Sequence, residues 1–333
     1  MKLDLKKPYE SKLSVIETQK AIKDLKDYFE RALAEELNLM RVSAPLFVKA
    51  STGLNDNLNG VERPIAFETK DGEEVQIVHS LAKWKRNALK RYKFKPYTGL
   101  YTDMNAIRRD EDLSQFHSLY VDQWDWEMII EDEDRTDEFL ESIVKRIYGV
   151  FKRTETYING LYSVLDKKLP EDITFLTSEE LREKDPSLTP KEREHKAARE
   201  YKAIFIKQIG KELGDGTRHD GRAPDYDDWQ LNGDIIFYHP VLDCALELSS
   251  MGIRVDKTRL LVQLEYADAM ERLELPYHKN IINEVLPLTV GGGIGQSRLC
   301  LFFLEKAHIG EVQASVWPKD MEEECAKLNI PLL

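Results

Sequence analysis

Apolar side chains recur at helical spacing near the start of the chain. From residue 12 to residue 38 they follow one another at steps of three and four, which is the period of one helix face. The pattern predicts a long amphipathic helix over 12–38. Its apolar stripe consists of Ile22, Leu25, Phe29, Leu33 and Leu37. Pro45 prevents a further helical turn, and a strand is expected to start at 46–48.

Shorter runs rich in β-branched and aromatic residues follow, and they predict strands. A polar loop is expected at 51–60, before a hairpin that turns at Asp71-Gly72. The expected strands lie at 64–69, 75–79, 99–107 and 118–126, and the expected helices at 80–92 and 135–165. Because side chains alternate along a strand, Gln123 and Asp125 should share one face of the sheet.

The second half of the chain predicts the same kinds of element. Thr189-Pro190-Lys191-Glu192 is typical of a helix start, and that helix is expected to run to about Gly210. Strands are predicted at 233–239 and 241–255, a helix at 256–270, and a last helix after Gly295. Since strands adjoin without regular alternation with helices, we expect an α+β fold with an antiparallel sheet flanked by helices. Residues 1–333 should form a single domain, with a charged, insertion-like segment around 166–200.

Composition excludes some functions. The 333 residues include 48 Lys and Arg against 60 Asp and Glu, a net charge of −12. This argues against a protein that binds nucleic acid over its whole surface, although a local basic patch is still compatible with it, and no nucleic-acid partner is expected. No apolar run is long enough to span a bilayer, so no membrane partner is expected, and the N-terminus lacks the hydrophobic segment of a signal peptide. The three cysteines, Cys244, Cys300 and Cys325, match no metal or redox spacing, and we expect a reduced, cytoplasmic setting.

A glycine-rich run, VGGGIGQSR at 290–298, is the first candidate for chemistry. Bare backbone at the start of a helix, followed by Arg298, favours an anionic ligand such as a nucleotide. The run matches neither of the common phosphate-binding glycine motifs. A tight strand-to-helix turn that needs glycines only for packing explains the run equally well.

Carboxylates cluster at 225–234, DYDDWQLNGD, and Glu247 follows within an apolar stretch. Oxygen ligands of this kind suit Mg²⁺, which usually takes one or two protein carboxylates. A solvated acidic loop is the alternative, but the interleaved Tyr226 and Trp229 are unusual for one. We therefore favour a functional interpretation.

Cations and polar groups form three further clusters. Arg108 at a strand end has the geometry to hold a phosphate, although a charged hairpin tip is the alternative. VHSLAKWKR at 78–86 gathers Lys83 and Arg86 on one helix face with Lys85 directed elsewhere, and an exposed helix face is an equally good explanation. Asp56, taken alone, is better explained as a turn residue.

Together these runs resemble the catalytic domain of class II aminoacyl-tRNA synthetases. LMRVSAPLF at 39–47 resembles the family's first motif, which builds a dimer interface; NAIRRDED resembles the second and GGGIGQSRL the third. The resemblance is closer to the ammonia-dependent asparagine synthetases, through HSLAKWKR, YVDQWDWE, APDYDDW, LNGDI and ELSSMGIRVD, and it extends from about residue 9 to the end. The family usually has proline where Arg109 stands here, and a loop at 229–231 is shorter.

The resemblance implies an enzyme that joins L-aspartate and ammonia at the expense of ATP, with Mg²⁺, through a β-aspartyl-adenylate. It implies a homodimer. It assigns catalytic roles to Asp56, Arg108 and Arg298. The implied aspartate ligands are Asp56, Ser80, Lys85, Gln123, Asp125, Arg222, Asp227 and Ser250. The implied ATP ligands are Arg108, Glu111, Asp234, Glu247, Gly293, Gly295 and Arg298, and Asp234 and Glu247 are the implied metal ligands.

Two alternatives stay open at this point. One is a class II synthetase that charges tRNA with Asp or Asn, although no separate anticodon-binding domain is evident and the chain is acidic throughout. The other is a non-catalytic paralogue that binds an amino acid or AMP. That alternative is disfavoured because the motif arginines and acids are present.

Overall fold

The computed structural model describes residues 3, 5, 8–56 and 62–333. Helices α1 to α9 lie at Val15–Leu37, Ala82–Arg91, Asp137–Leu161, Ser178–Lys184, Pro190–Tyr201, Lys257–Tyr266, Pro276–Ile282, Gln296–Phe303 and Lys319–Lys327. Strands β1 to β11 lie at Leu39–Arg41, Phe47–Lys49, Ala66–Glu68, Glu74–Ile77, Gly99–Ile107, Tyr120–Ile129, Thr174–Thr177, Ala203–Lys207, Asp227–His239, Cys244–Arg254 and Thr289–Gly295. No helix in these ranges is long and apolar enough to cross a bilayer.

Eight strands form the main sheet, in the order β1-β5-β6-β11-β10-β9-β8-β7. The six central strands pair antiparallel, as predicted, but β1 pairs parallel with β5 and β7 pairs parallel with β8. The prediction of an antiparallel sheet is therefore wrong at both edges, and the sheet is mixed. In each parallel pair the connection includes a helix, α2 in one case and α4 with α5 in the other, which is how parallel neighbours must be joined.

A small second sheet, in the order β2-β4-β3, contains the predicted hairpin. Its turn includes Gly72 with φ of 81°, a conformation that glycine adopts without strain. The predicted loop at 51–60 begins with a short 3-10 helix, Ala50–Thr52, and its part at 57–60 lies outside the described residues.

Helix α1 confirms the first prediction within three residues. Ser14 and Glu17 form a capping box at its start, and Asn38 in the left-handed conformation ends it. Phe29, fully buried, stacks on Trp124 of β6 at 5.0 Å between ring centroids and packs at a tilt against Phe151 of α3 at 5.1 Å. The largest hydrophobic cluster thus lies between α1, α3 and one face of the sheet. The opposite face carries smaller apolar clusters, under α2 and under α4 and α5, and polar residues between them.

The prediction that the helix starting at Thr189 runs to Gly210 is wrong. Helix α5 ends at Tyr201, and Lys202, with φ of 68°, turns the chain into β8. All five residues of β8 are buried, which explains why its sequence is a nearly continuous apolar run. Such a run is also compatible with a helix, so the prediction extended the helix through it. Within 166–200 the chain adds the edge strand β7 to the main sheet. Helix α6 ends at Tyr266, short of the predicted 270, and α8 is followed by α9.

Strand β11 is glycine-rich because of the side chains that face it. Its register places Gly291 opposite Glu127 and Gly293 opposite Asp125. A Cβ at Gly291 would overlap the Glu127 carboxylate, and one at Gly293 would overlap the Gln123 amide. The glycines therefore admit large polar side chains of β6 beneath the backbone of β11.

Two fully buried histidines, His239 and His308, are held in the neutral form. In each ring Nδ1 accepts a backbone N–H, from Leu242 at 3.3 Å and from Gly310 at 3.0 Å. The proton therefore sits on Nε2, which contacts a backbone carbonyl in one case and a methionine sulfur in the other. Burial lowers the pKa of each imidazole to about 4.

Acidification should therefore destabilise the fold between about pH 6.5 and pH 4. An unfolded histidine binds its proton at a pKa of about 6.5, so the unfolded state holds more protons across this window, and stability falls as pH falls. Each histidine contributes a slope of about 1.4 kcal/mol per pH unit. Urea unfolding of His239→Gln should show a shallower decline than the wild-type protein, and equal slopes would contradict the assignment.

The variant Gly291→Ala should lower the free energy of unfolding by about 3 kcal/mol or more, because the added methyl group displaces the buried carboxylate of Glu127 from its cationic partners. The matched control is Gly160→Ala in α3, where an added Cβ meets no atom within 4 Å. That change should be neutral or stabilising by up to about 1 kcal/mol. Urea denaturation measures the free energy of unfolding of both variants, and equal stabilities would show that position 291 does not require glycine.

Candidate active site

A cavity of about 510 Å³ opens on the polar face of the main sheet. Strands β6, β10 and β11 form its floor. The segment 108–118, which follows β5, and the segment 220–227, which precedes β9, form its walls. The predicted site residues that line it are Asp56, Ser80, Arg108, Glu111, Gln123, Asp125, Arg222, Asp227, Glu247, Ser250, Gly293, Gly295 and Arg298. Sequence analysis thus selected residues that the fold brings together.

Two predicted ligands, Lys85 and Asp234, are not among the residues that line the cavity. Lys85 is fully buried and forms an ion pair with Asp125. It also donates to the carbonyl of Trp126 at 2.8 Å and to that of Gly292 at 3.2 Å. Lys85 therefore fixes the Asp125 carboxylate from below, between β6 and β11.

Asp125 is one of three carboxylates at one end of the cavity. Its second oxygen accepts the backbone N–H of Leu81 at 3.1 Å, which ties it to the start of α2. Asp227 pairs with the buried Arg254, and Asp56, at the end of the 51–56 segment, also lines the cavity. This end suits the ammonium group of an amino acid, and Arg222 nearby suits a carboxylate.

A buried network of alternating charge underlies these acids. Arg254 on β10 donates to Glu127 at 2.8 and 3.0 Å and also pairs with Asp227. Thr289 donates to Glu127 at 2.7 Å, and Lys85 lies 3.5 Å from it. Burial raises the pKa of Glu127, but Arg254 and Lys85 lower it by more, so that the pKa lies below its usual value. The floor is therefore charged, rigid and internally paired.

Arginines dominate the other end of the cavity. Arg108 lies 3.8 Å from Glu111, and its buried Nε donates to no described residue. Arg298, in the first turn of α8, donates to the carbonyl of Glu247 at 3.0 Å. Two guanidinium groups around an open space, one with an unused N–H, form a site for phosphate oxygens.

A β-bulge brings Glu247 and Ser250 to the same face of β10. Residues three apart on a regular strand point to opposite faces. Here the register shifts between Glu247 and Ser249, so that Glu247 pairs with Ile236 and Ser250 with Asp234. Both side chains consequently line the cavity.

Asp234 and Glu247 are the only predicted metal ligands. Both carboxylate oxygens of Asp234 accept from Arg222. Burial and the nearby charge of Glu247 raise the pKa of Asp234 to about 6, although Arg222 opposes this effect. Across the described part of the chain, no group of three or more histidine, cysteine or acidic side chains is arranged to hold a metal. Two neighbouring carboxylates still fit a cation that takes its other ligands from phosphate and water.

The structure adds residues that the sequence analysis missed. Phe116 and His117 line the nucleotide-sized arginine end, and burial together with Arg298 lowers the pKa of His117 to about 4. Lys191, at the start of α5, reaches the cavity rim beside Asp220 at 3.4 Å. These residues lie on loops or helix starts without periodicity, and only Lys191, next to a predicted helix cap, had a sequence signal nearby.

Comparison with known proteins gives the family. The sequence profile of the aspartate–ammonia ligase family matches residues 16–329. The chain is 62% identical to an aspartate–ammonia ligase of Fusobacterium nucleatum, over 98% of this chain and 99% of the relative. It is 64% identical to one of Ruminiclostridium cellulolyticum, over 98% of this chain and 97% of the relative.

Solved structures give the fold class. The asparaginyl-tRNA synthetase of Pyrococcus horikoshii, complexed with asparaginyl-adenylate, superposes with a TM-score of 0.66 at 14% identity, over 90% of this chain and 70% of that one. The aspartyl-tRNA synthetase of Entamoeba histolytica superposes with a TM-score of 0.58 at 14% identity, over 89% and 58%. At these identities the likeness establishes a class II synthetase-like fold alone. The sequence relatives decide the family, and the chain belongs to the aspartate–ammonia ligases.

Proposed function

We propose that this enzyme makes L-asparagine from L-aspartate, ammonia and ATP through a β-aspartyl-adenylate, releasing AMP and pyrophosphate. The observation that supports this most strongly is that one cavity is lined both by the carboxylates Asp56, Asp125 and Asp227 and by the arginines Arg108 and Arg298. The carboxylates suit the ammonium group of an amino acid, and the arginines suit a nucleoside triphosphate. The reaction would take place where the side-chain carboxylate of aspartate meets the α-phosphorus of ATP.

Adenylation solves a chemical problem. The oxygen of a carboxylate is a poor leaving group, so ammonia cannot displace it directly. Once the β-carboxylate has attacked the α-phosphorus and expelled pyrophosphate, the carbonyl carries AMP, which leaves readily. The protein then contributes orientation and charge stabilisation more than covalent chemistry. We assign Arg108 to the α-phosphate and Arg298 to the γ-phosphate.

At the acidic end we assign Asp125 and Asp227 to the α-ammonium group of aspartate, with Arg222 at a carboxylate. Gln123, Ser80 and Ser250 supply neutral hydrogen bonds around it, and Lys85 acts by holding Asp125. Asp56 faces the incoming ammonia, which it attracts as ammonium or deprotonates. In this assignment Asp125 and Asp227 bind aspartate, and Asp56 serves the second step, the attack of ammonia.

The arginine end provides the nucleotide site. We assign Glu111 to the adenosine part, Phe116 to stacking against the base, and Gly293 and Gly295 to close approach along the floor. Asp234 and Glu247 would hold Mg²⁺. The ion, when bound, supplies positive charge to the phosphates and makes pyrophosphate a better leaving group.

We further propose a cytoplasmic homodimer. Large apolar side chains stand exposed around β1 and the small sheet: Met40, Leu46, Phe47 and Phe67 are each between 44% and 56% exposed. Phe47 and Phe67 form an edge-to-face pair at 5.4 Å. An exposed apolar cluster of this kind favours burial against a second copy. The three free cysteines and the use of ATP suit a reducing compartment.

Purified protein with Mg·ATP and aspartate, supplied separately with ammonium, glutamine or deacylated tRNA, tests the function. We expect asparagine and AMP with ammonium alone, because ammonia is itself the nucleophile, whereas the amide nitrogen of glutamine must first be released by hydrolysis. Asparagine, AMP and pyrophosphate are followed together. Aminoacyl-tRNA without asparagine would instead identify a synthetase, and no product in any mixture would identify a binding protein.

The variants Arg298→Ala and Asp234→Ala should each lower pyrophosphate release by about 10²–10³-fold or more. The first removes a positive charge from the phosphates, and the second removes a ligand of the Mg²⁺ ion that would neutralise them. The matched control is Arg199→Ala, which removes an exposed arginine of α5 that does not line the cavity and should keep near-wild-type turnover. Circular dichroism verifies the fold of all three. Near-wild-type turnover in either active-site variant would contradict the assignment of the phosphate site.

A further inference from the structure

We propose that Lys83 is a positioning residue for Asp56, and that the Lys83–Asp225 ion pair couples the two loops that enclose the acidic end of the cavity. The inference rests on the proposed function, in which Asp56 serves the ammonia step. Lys83 itself does not line the cavity, so it acts through its neighbours.

Lys83 joins two parts of the chain that are distant in sequence. Its Nζ donates to the carbonyl of Asn55 at 3.1 Å and to Asp225 Oδ2 at 2.7 Å. The first contact holds the residue directly before Asp56. The second holds the loop that contains Arg222 and Asp227. The side chain is buried, with 2% of its surface exposed.

Asn55 is the point at which the Asp56 loop is fastened. Its Oδ1 accepts the backbone N–H of Asp56 at 3.0 Å and that of His79 at 2.9 Å. Its Nδ2 donates to the carbonyl of Ile77 at 3.2 Å. His79 Nδ1 in turn lies 3.1 Å from the carbonyl of Asp56. The backbone around Asp56 is thus held by hydrogen bonds on both sides, and Lys83 supplies the only charged one among those to the described residues.

Asp225 is the point at which the second loop is fastened. Its Oδ2 receives Lys83, Arg272 NH1 at 3.0 Å and His278 Nε2 at 2.9 Å. Although burial raises it, the pKa of Asp225 is held well below its usual range by these neighbours, with Lys83 the strongest. The carboxylate therefore stays charged, and it keeps two partners when Lys83 is removed.

Stability alone does not explain a buried lysine at this position. Taking an ammonium group out of water is costly, and a well-packed apolar side chain of similar volume is often as stable as a buried ion pair. The ammonium group contributes something that an apolar residue cannot, which is a directed link from Asp225 to the backbone carbonyl beside Asp56. The position of the Asp56 side chain is therefore the property that depends on Lys83.

The location of Asp56 makes this geometry relevant to one half of the reaction. His79, whose ring contacts the backbone of Asp56, is within electrostatic reach of both the Asp56 carboxylate and Arg108. Asp56 and Arg108 line the same cavity, so that, on the proposed function, Asp56 faces the carbonyl that ammonia attacks. Adenylation needs the floor residues and the arginines, whereas the ammonia step needs Asp56.

The variant Lys83→Met separates these two halves. Aspartate-dependent exchange of pyrophosphate into ATP measures adenylation alone, and it should stay within about threefold of wild type, since Met fills the volume without leaving an unpaired charge. The kcat/KM for ammonium should fall by about tenfold or more, because small displacements of a reacting group are costly in rate. Lys83→Arg, which keeps a cation able to reach Asn55, should recover part of the loss.

Arg272→Met is the matched control. It removes a cation from the same oxygen of Asp225 but makes no hydrogen bond or ion pair to the described residues of the Asp56 loop, so it should leave the kcat/KM for ammonium unchanged. An equal fall in exchange and in ammonium use for Lys83→Met, or the same ammonium defect in Arg272→Met, would overturn the inference. If Lys83→Met does not fold, the ratio of the two activities in Lys83→Arg and Lys83→Gln decides in the same way. Absence of exchange in the wild-type protein would instead refute the proposed function itself.

Discussion

The pairing of buried charge beneath strand β11 is the interaction on which the site depends. Glu127, Arg254 and Lys85 lie in the interior of the sheet, where an unpaired charge would be severely destabilising. They are tolerated because each meets a partner of opposite sign, and they fit because β11 presents glycine where their side chains need room. The same network holds Asp125 through Lys85 and Asp227 through Arg254. The buried charges beneath the cavity floor therefore determine where these two acids lie.

The fold divides the work between the two faces of one sheet. One face buries apolar residues under α1 and α3, as Phe29 and Trp124 illustrate. The other keeps carboxylates and arginines around a cavity. Such an arrangement favours a reaction in which two substrates react with each other while the protein holds them, and transfer of an adenylyl group to a carboxylate is of that kind.

Sequence analysis predicted the parts that local rules determine. The α1 stripe, the hairpin at Asp71-Gly72 and the shared face of Gln123 and Asp125 all follow from periodicity or turn chemistry. The bulge that turns Glu247 and Ser250 to one face does not, because it depends on the pairing of β10 with β9. The parallel edges and strand β8 were missed for a similar reason, since a buried apolar run is compatible with helix or strand. That Lys85 and Asp234 do not line the cavity could be seen only once the strands were packed into the sheet. The roles of individual site residues remain predictions.

Transfer of oxygen from aspartate to AMP is the most direct test of the account. Aspartate labelled with ¹⁸O in the β-carboxylate is converted with ammonium and unlabelled Mg·ATP, and the products are analysed by mass spectrometry. If the carboxylate attacks the α-phosphorus, AMP acquires one ¹⁸O atom and asparagine keeps the other. Unlabelled AMP, or label found in phosphate or pyrophosphate, would show that a different phosphorus is attacked and would contradict the adenylate.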